Sequence, residues 1–211
     1  MQQYYSTIYA FFDCYGLSHA RSILAKMIKT ADAERIWKGS SPSDVLFLTE
    51  KTEELIEAVF AIVGRYEYKS EAVLKNEEDE KLWFLSEHHL YCGWHIHSTP
   101  WDFFPRHLSK KEFCDPYKAL EKFTAYRSHY QWKDVLRELL FHALSPNSIS
   151  EFDDGTSLLQ SYIHLHKLIE ATHLIEVRTN TKSNQPHRSR WKQNSGKKHK
   201  QTGNRKPATS N

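Results

Sequence analysis

The sequence predicts an all-α protein, an internal duplication of a three-helix unit packed as a helical bundle and followed by a disordered basic C-terminal tail. Three observations carry this expectation. Apolar residues recur every three or four positions over most of the first 177 residues, the period of one helix face. The chain also aligns with itself. At an offset of 112, Tyr5 meets Tyr117, Ile8 meets Leu120, Phe11 meets Phe123, Leu24 meets Leu136, Met27 meets Leu139 and Ala31 meets Ala143; at 113, the run Leu55-Ile56-Glu57-Ala58 falls on Leu168-Ile169-Glu170-Ala171. Amphipathic spacing accounts for the apolar matches but not for the shared Glu. Finally, residues 178–211 hold ten Lys or Arg and no Asp or Glu, with Trp191 as their one aromatic, so they cannot bury enough apolar surface to offset the entropy of ordering.

Taken in order, Tyr5, Ile8, Phe11, Phe12 and Tyr15 share a face and predict a first helix ending at Gly16. Ser18 is the expected N-cap of a second helix through about Ala31, with Ile23, Leu24, Met27 and Ile28 inward. Ser41-Pro42 opens a third, whose stripe is Val45, Leu48, Thr52, Leu55, Val59 and Ile62. The second unit repeats the plan. Asp115-Pro116 starts a helix to about Tyr126, another runs from about Ser128 to Leu144, and after turns at Ser145-Pro146-Asn147 and Asp153-Asp154-Gly155 a last helix spans about Ser157 to Val177. The organisation is thus a first unit over 1–66, an intervening segment over 67–114, a second unit over 115–177 and the tail over 178–211.

The intervening segment reads differently. Ser70 to Leu90 is helix-permissive with four consecutive acids, and Tyr91 to Pro105 places Gly93, Pro100 and Pro105 among Trp94, Trp101, Phe103 and Phe104, an ordered aromatic loop rather than a regular element. Ser109 and Glu112 fit a capping box. The segment is expected to lie over the boundary between the units, its aromatics serving as packing.

Composition narrows the function classes. Net charge is +3, but without the tail's ten cations positions 1–177 hold 19 basic against 26 acidic residues. Three cysteines at irregular spacing (Cys14, Cys92, Cys114) read as reduced thiols of a cytoplasmic protein rather than a disulfide framework. Met1 to Tyr5 lacks the basic-then-apolar pattern of a secretory signal, and the longest apolar run, Ala58 to Val63, is far too short to span a membrane. No phosphate-binding Gly-rich loop, Gly-x-Ser-x-Gly elbow or His-Glu-x-x-His helix is present, so no cofactor is expected.

Four groups of residues bear on chemistry. Cys92, His95, His97 and Cys114, with His88, His89 and His107 nearby, have the ligand types zinc favours, although only Cys92-x2-His95 has a recognisable spacing. Glu57 and Glu170 repeat between units but lie roughly opposite their helices' apolar stripes, the position of a solvated face or a partner contact rather than a catalytic dyad. In the tail, Arg188, Arg190, Lys192, Lys197, Lys198, Lys200, Arg205 and Lys206 can neutralise phosphates, and Trp191 can stack on an unpaired base, so DNA or RNA is one candidate partner, beside a tail that folds back on the acidic body or only solubilises.

The fourth is Arg137 and His142, separated by four residues on one predicted helix. This spacing resembles the Arg-x4-6-His signature of the HEPN ribonucleases. The resemblance covers these two residues and implies a metal-independent RNA cleavage at a cleft between helical bundles, with Arg137 stabilising phosphorane-like charge and His142 transferring a proton. Ala25 and Thr30 occupy the equivalent places in the first unit, and a five-residue separation sets the two side chains about 140° apart on an ideal helix. The sequence alone therefore favours a non-enzymatic binding or regulatory protein, with the ribonuclease and a protein-protein adaptor as alternatives. The body would offer the surface for any protein partner.

Overall fold

The computed structural model describes residues 2–39, 41–74, 91–92, 100–149 and 156–180. The acidic stretch 75–90, the Asp153-Asp154-Gly155 turn and 181–211 lie outside them. All regular structure among the described residues is helical: α1 (Gln2–Cys14), α2 (Leu17–Ala31), α3 (Pro42–Gly64), a 3-10 turn (Ser70–Ala72), α4 (Pro100–Phe103), α5 (Lys110–Cys114), α6 (Tyr117–Tyr126), α7 (His129–Leu144) and α8 (Thr156–Thr179).

Local chemistry explains most boundaries. Ser41 caps α3 by accepting from the Ser43 N–H, with Pro42 at the first helical position. Ser109 with Glu112 and Ser128 with Gln131 close complete capping boxes on α5 and α7. At the end of α3 the N–H groups of Tyr66 and Glu67 reach back to the carbonyls of Val63 and Ile62, the paired bonds of a Schellman motif, with Tyr66 at φ 53° in the left-handed place usually given to Gly. Two elements differ from the sequence-based reading. α2 begins at Leu17 after Gly16, not after a Ser18 cap, because Leu17 is buried and packing rather than a side-chain bond sets the start. Within the aromatic segment, Pro100–Phe103 forms one helical turn where a loop is expected.

The helices bury one continuous apolar core. α1 lies on α3 and α6 on α8, while α1 also meets α8 and α6 also meets α3. α2 and α7 cross at the centre, α2 against α8 and α7 against α3. Val45, Leu48, Thr52, Leu55, Val59 and Ile62 of α3 are all buried, as their spacing predicts. Trp132 stacks on Phe123 at 4.3 Å, with its indole N–H donated to the Phe123 carbonyl, so the largest core side chain is both packed and satisfied. Tyr5 and Tyr117 share a 2.7 Å hydrogen bond between hydroxyls, and the Lys69 N–H donates to both.

Candidate functional site

At the C-terminal end of α2 the connection to α3 folds over a pocket of about 710 Å³ lined by cations of both segments. The Trp37 N–H donates to the Ala143 carbonyl at the end of α7, and Ser148 Oγ donates to the Asp32 carbonyl; together these bonds pin the connection to the second half of the chain. The Trp37 ring is thereby buried, and Gly39 passes so close that a Cβ there would stand 3.0 Å from the indole. Lys26, Lys29, Arg35 and Lys38 line the pocket, with Glu34 the one acid among its lining residues. Among the described residues no ion pair joins these four cations to an acid, and all four are exposed. Lys29, in the last turn of α2, complements the negative end of the helix dipole. Among the described residues the remaining positive field is met only by Glu34 and faces a concave space. A second pocket of about 420 Å³ adjoins at Lys29, walled by Ile28, Leu158, Leu159 and Tyr162 with Asp32 at its edge. The arrangement can hold phosphate groups beside an apolar moiety.

The repeated glutamates part company. Glu57 is solvated as expected and pairs with Lys133. Glu170 overturns the expectation of a solvated face: its side chain is 0% exposed. The helical wheel misplaces it because α8 is enclosed on its polar side too, by α2 and by residues 102–107. The carboxylate pairs with Arg21 at 3.1 Å and accepts from the N–H groups of Arg106 and His107, with His107 Nδ1 at 3.0 Å. Burial pushes the carboxyl up, and these donors outweigh it, holding it at about 2. Arg21 also donates to the carbonyls of Asp102 and Phe104, so the cluster fastens the 102–107 segment to the helices. With its oxygens fully engaged Glu170 is a clamp, not a base. Beside it His166 packs 4.6 Å from the His107 ring, its imidazole lowered to about 4 by burial and then by His107.

Arg137 and His142 engage different neighbours. The Arg137 guanidinium is exposed and bonds both oxygens of Glu53 on α3 at 3.2 and 3.4 Å; His142 is buried, with Nδ1 3.1 Å from the Asn147 carbonyl in the turn after α7. Of the residues with zinc-ligand chemistry, Cys92 is buried, its thiol pushed up to about 11 by burial, and Cys114 is half-buried. His107 is committed to Glu170, while His88, His89, His95 and His97 lie outside the described residues. No group of three His, Cys, Asp or Glu among the described residues is arranged to hold a metal ion. The tail residues Arg188, Arg190, Trp191, Lys192, Lys197, Lys198, Lys200, Arg205 and Lys206 also lie outside.

The pocket cations are the residues that sequence reasoning passes over. Lys26 and Lys29 look like ordinary solvated positions on an amphipathic helix, and Arg35 and Lys38 like loop polarity; only the pinned Trp37 turns them toward one space. No helix among the described residues is long and apolar enough to cross a membrane. Compared with known proteins, the chain matches no family model, no curated protein and no solved structure.

Proposed function

We propose that the chain is a non-enzymatic binding or regulatory protein whose body recognises a phosphate-bearing polyanion, DNA or RNA, at the pocket beneath α2, while the basic tail adds sequence-independent affinity. The observation that carries this reading is four exposed cations, in no ion pair with any described acid, lining one pocket of about 710 Å³ on a body that is otherwise net acidic. Such a field attracts phosphates, and binding is favoured by the counterions they release. Three free cysteines fit a reducing, cytoplasmic setting.

The same reading takes the body as two related three-helix units about a pseudo-twofold axis. Moving α2 by 112 positions gives 129–143, against the observed His129–Leu144, and moving α3 by 113 gives 155–177, against Thr156–Thr179. Tyr5 and Tyr117, equivalent under this shift, would then meet each other on the axis. The basic pocket belongs to one unit alone, since Lys26 and Lys29 correspond to Glu138 and Phe141.

The test is a salt series with labelled single-stranded RNA and duplex DNA. Replacing Lys26, Lys29 and Lys38 with Ser should weaken binding at least about tenfold and flatten the salt slope by roughly one unit per phosphate contact removed. Deleting 182–211 should flatten it further while leaving the pocket's share intact. Unchanged affinity and slope in the triple variant would refute the pocket. RNA cleavage in these samples would move the function to Arg137 and His142.

A further inference from the structure

Two ion pairs in this molecule are one pair seen twice. Arg21 of α2 meets Glu170 of α8, and Lys133 of α7 meets Glu57 of α3. The offset of 112 carries Arg21 to Lys133 and that of 113 carries Glu57 to Glu170, so each unit lends a cation to the other unit's glutamate. What differs is the cover. Over Glu170 the Pro105-Arg106-His107 stretch supplies two backbone N–H groups and an imidazole, and the side chain is sealed. The Glu57 side chain is 55% exposed, and beside it lies an open pocket of about 260 Å³ walled by Gln3, Tyr4 and Thr7 of α1 and Glu54, Glu57 and Ala58 of α3.

We propose that the tail segment 185–192, Gln-Pro-His-Arg-Ser-Arg-Trp-Lys, docks on the Glu54–Glu57 face in the way Pro105-Arg106-His107 sits on Glu170; the inference rests on the two-unit reading above. Chemistry supports this occupant first. The segment offers backbone N–H groups and one imidazole, the donor types of the observed cover, in the order Pro186-His187-Arg188, with Arg188, Arg190 and Lys192 as its cations. Glu170 shows that a carboxylate already paired with a cation still accepts three further donors, so Lys133 on Glu57 and Lys51 on Glu54 leave acceptor sites open. Position supports it second. α8 ends where Thr179 hydrogen-bonds Tyr9 of α1, and Thr7 and Tyr4 of the pocket wall lie within about 8 Å of rise along that same helix. Tyr4 and Thr7 stand about 140–160° around α1 from Tyr9, so the path rounds the helix; the residues from Asn180 to Lys192 span up to about 40 Å when extended, enough to do so. Docked there, the tail is withheld from nucleic acid, and the face becomes the place where binding is regulated.

The experiment is zero-length carbodiimide cross-linking of the dilute full-length protein without nucleic acid, with linked peptides mapped by mass spectrometry. Lys192 should link to Glu54 or Glu57 roughly five-fold more often than to other exposed acids such as Glu34, reflecting a raised local concentration. The Arg188→Ser/Arg190→Ser variant, which keeps Lys192, should lose the preference, as should the native protein in high salt. Links spread evenly over the exposed acids, or found only between chains, would overturn the proposal. Because no nucleic acid is present, the two readings fail separately: a preserved Lys192 link with no RNA or DNA binding sinks the polyanion function alone, and binding without the link sinks the docking alone.

Discussion

Glu57 and Glu170 have the same neighbours in sequence, Leu-Ile before and Ala after, yet one stands in solvent and the other is sealed. The difference lies in what covers the helix, and titration should expose it. Glu170 and Glu112, the latter buried and held at about 2 by Lys122, Ser109 and Lys167 against the cost of burial, are both well below the ordinary carboxylate range. Such groups stabilise the fold above the unfolded-state value near 4.5, and this contribution is lost as pH falls from there toward about 2. His166, lowered to about 4 by burial and His107, and His164, lowered by burial and Lys167, act earlier: the unfolded chain takes up their protons first, so stability begins to fall below about 6.5. Glu176, raised by burial, opposes the trend. Acid unfolding followed by circular dichroism should therefore show a shallow loss from about pH 6.5 to 4.5 and a steep one below. Glu170→Gln should remove part of the steep arm and cost on the order of 3 kcal/mol at neutral pH by leaving Arg21 buried without its counter-charge, while Glu57→Gln should stay within about 0.5 kcal/mol. Equal effects at the two positions would contradict the clamp.

At the scale of elements, what the sequence made legible was what adjacent residues decide. Ser41-Pro42, Ser109 with Glu112 and Ser128 with Gln131 act within one turn, and all three caps form. The apolar stripes of α1, α3 and α7 are legible for the same reason, since each faces the core along one side. What was not legible depends on contacts distant in sequence: the start of α2, set by burial of Leu17; the sealing of Glu170 by 102–107; and the basic pocket, which exists because Trp37 bonds the carbonyl of Ala143, over a hundred residues away. Tyr66 shows an element ending against local preference. It holds the left-handed position of the Schellman motif at φ 53° while 79% exposed, so its side chain offsets little of a strain of about 1 kcal/mol. Tyr66→Gly should raise stability by about 0.5 kcal/mol after the added entropy of the unfolded chain is subtracted. A lower denaturation midpoint would mean that the ring's edge contact with Tyr68 matters more than the backbone.

For the whole molecule, the question is whether the helices of 1–66 and those of 115–177 make two domains or one. α1 packs first on α3 and α6 on α8, within the same half, but the central helices pack across: α2 lies on α7 and α8 and α7 on α3, while α1 also meets α8 and α6 also meets α3. Leu24, Met27 and Ala31 of α2 and Leu136, Leu139 and Ala143 of α7 are all essentially inaccessible, and each Leu or Met among them is worth about 1.5–3 kcal/mol when fully buried. The hydroxyls of Tyr5 and Tyr117 and the N–H of Lys69 bridge the same boundary in polar form. Separating the halves would expose this surface at once, and the basic pocket, pinned through Ala143 and Ser148, would be lost with the interface. Urea unfolding should accordingly be a single cooperative transition, with tryptophan fluorescence and far-ultraviolet circular dichroism giving one midpoint. Residues 1–66 expressed alone should remain largely unfolded, for want of the faces that α7 and α8 supply. Two resolved transitions, or a folded 1–66 fragment, would show instead that each unit is self-sufficient and that the boundary between them is a docked interface rather than a shared core.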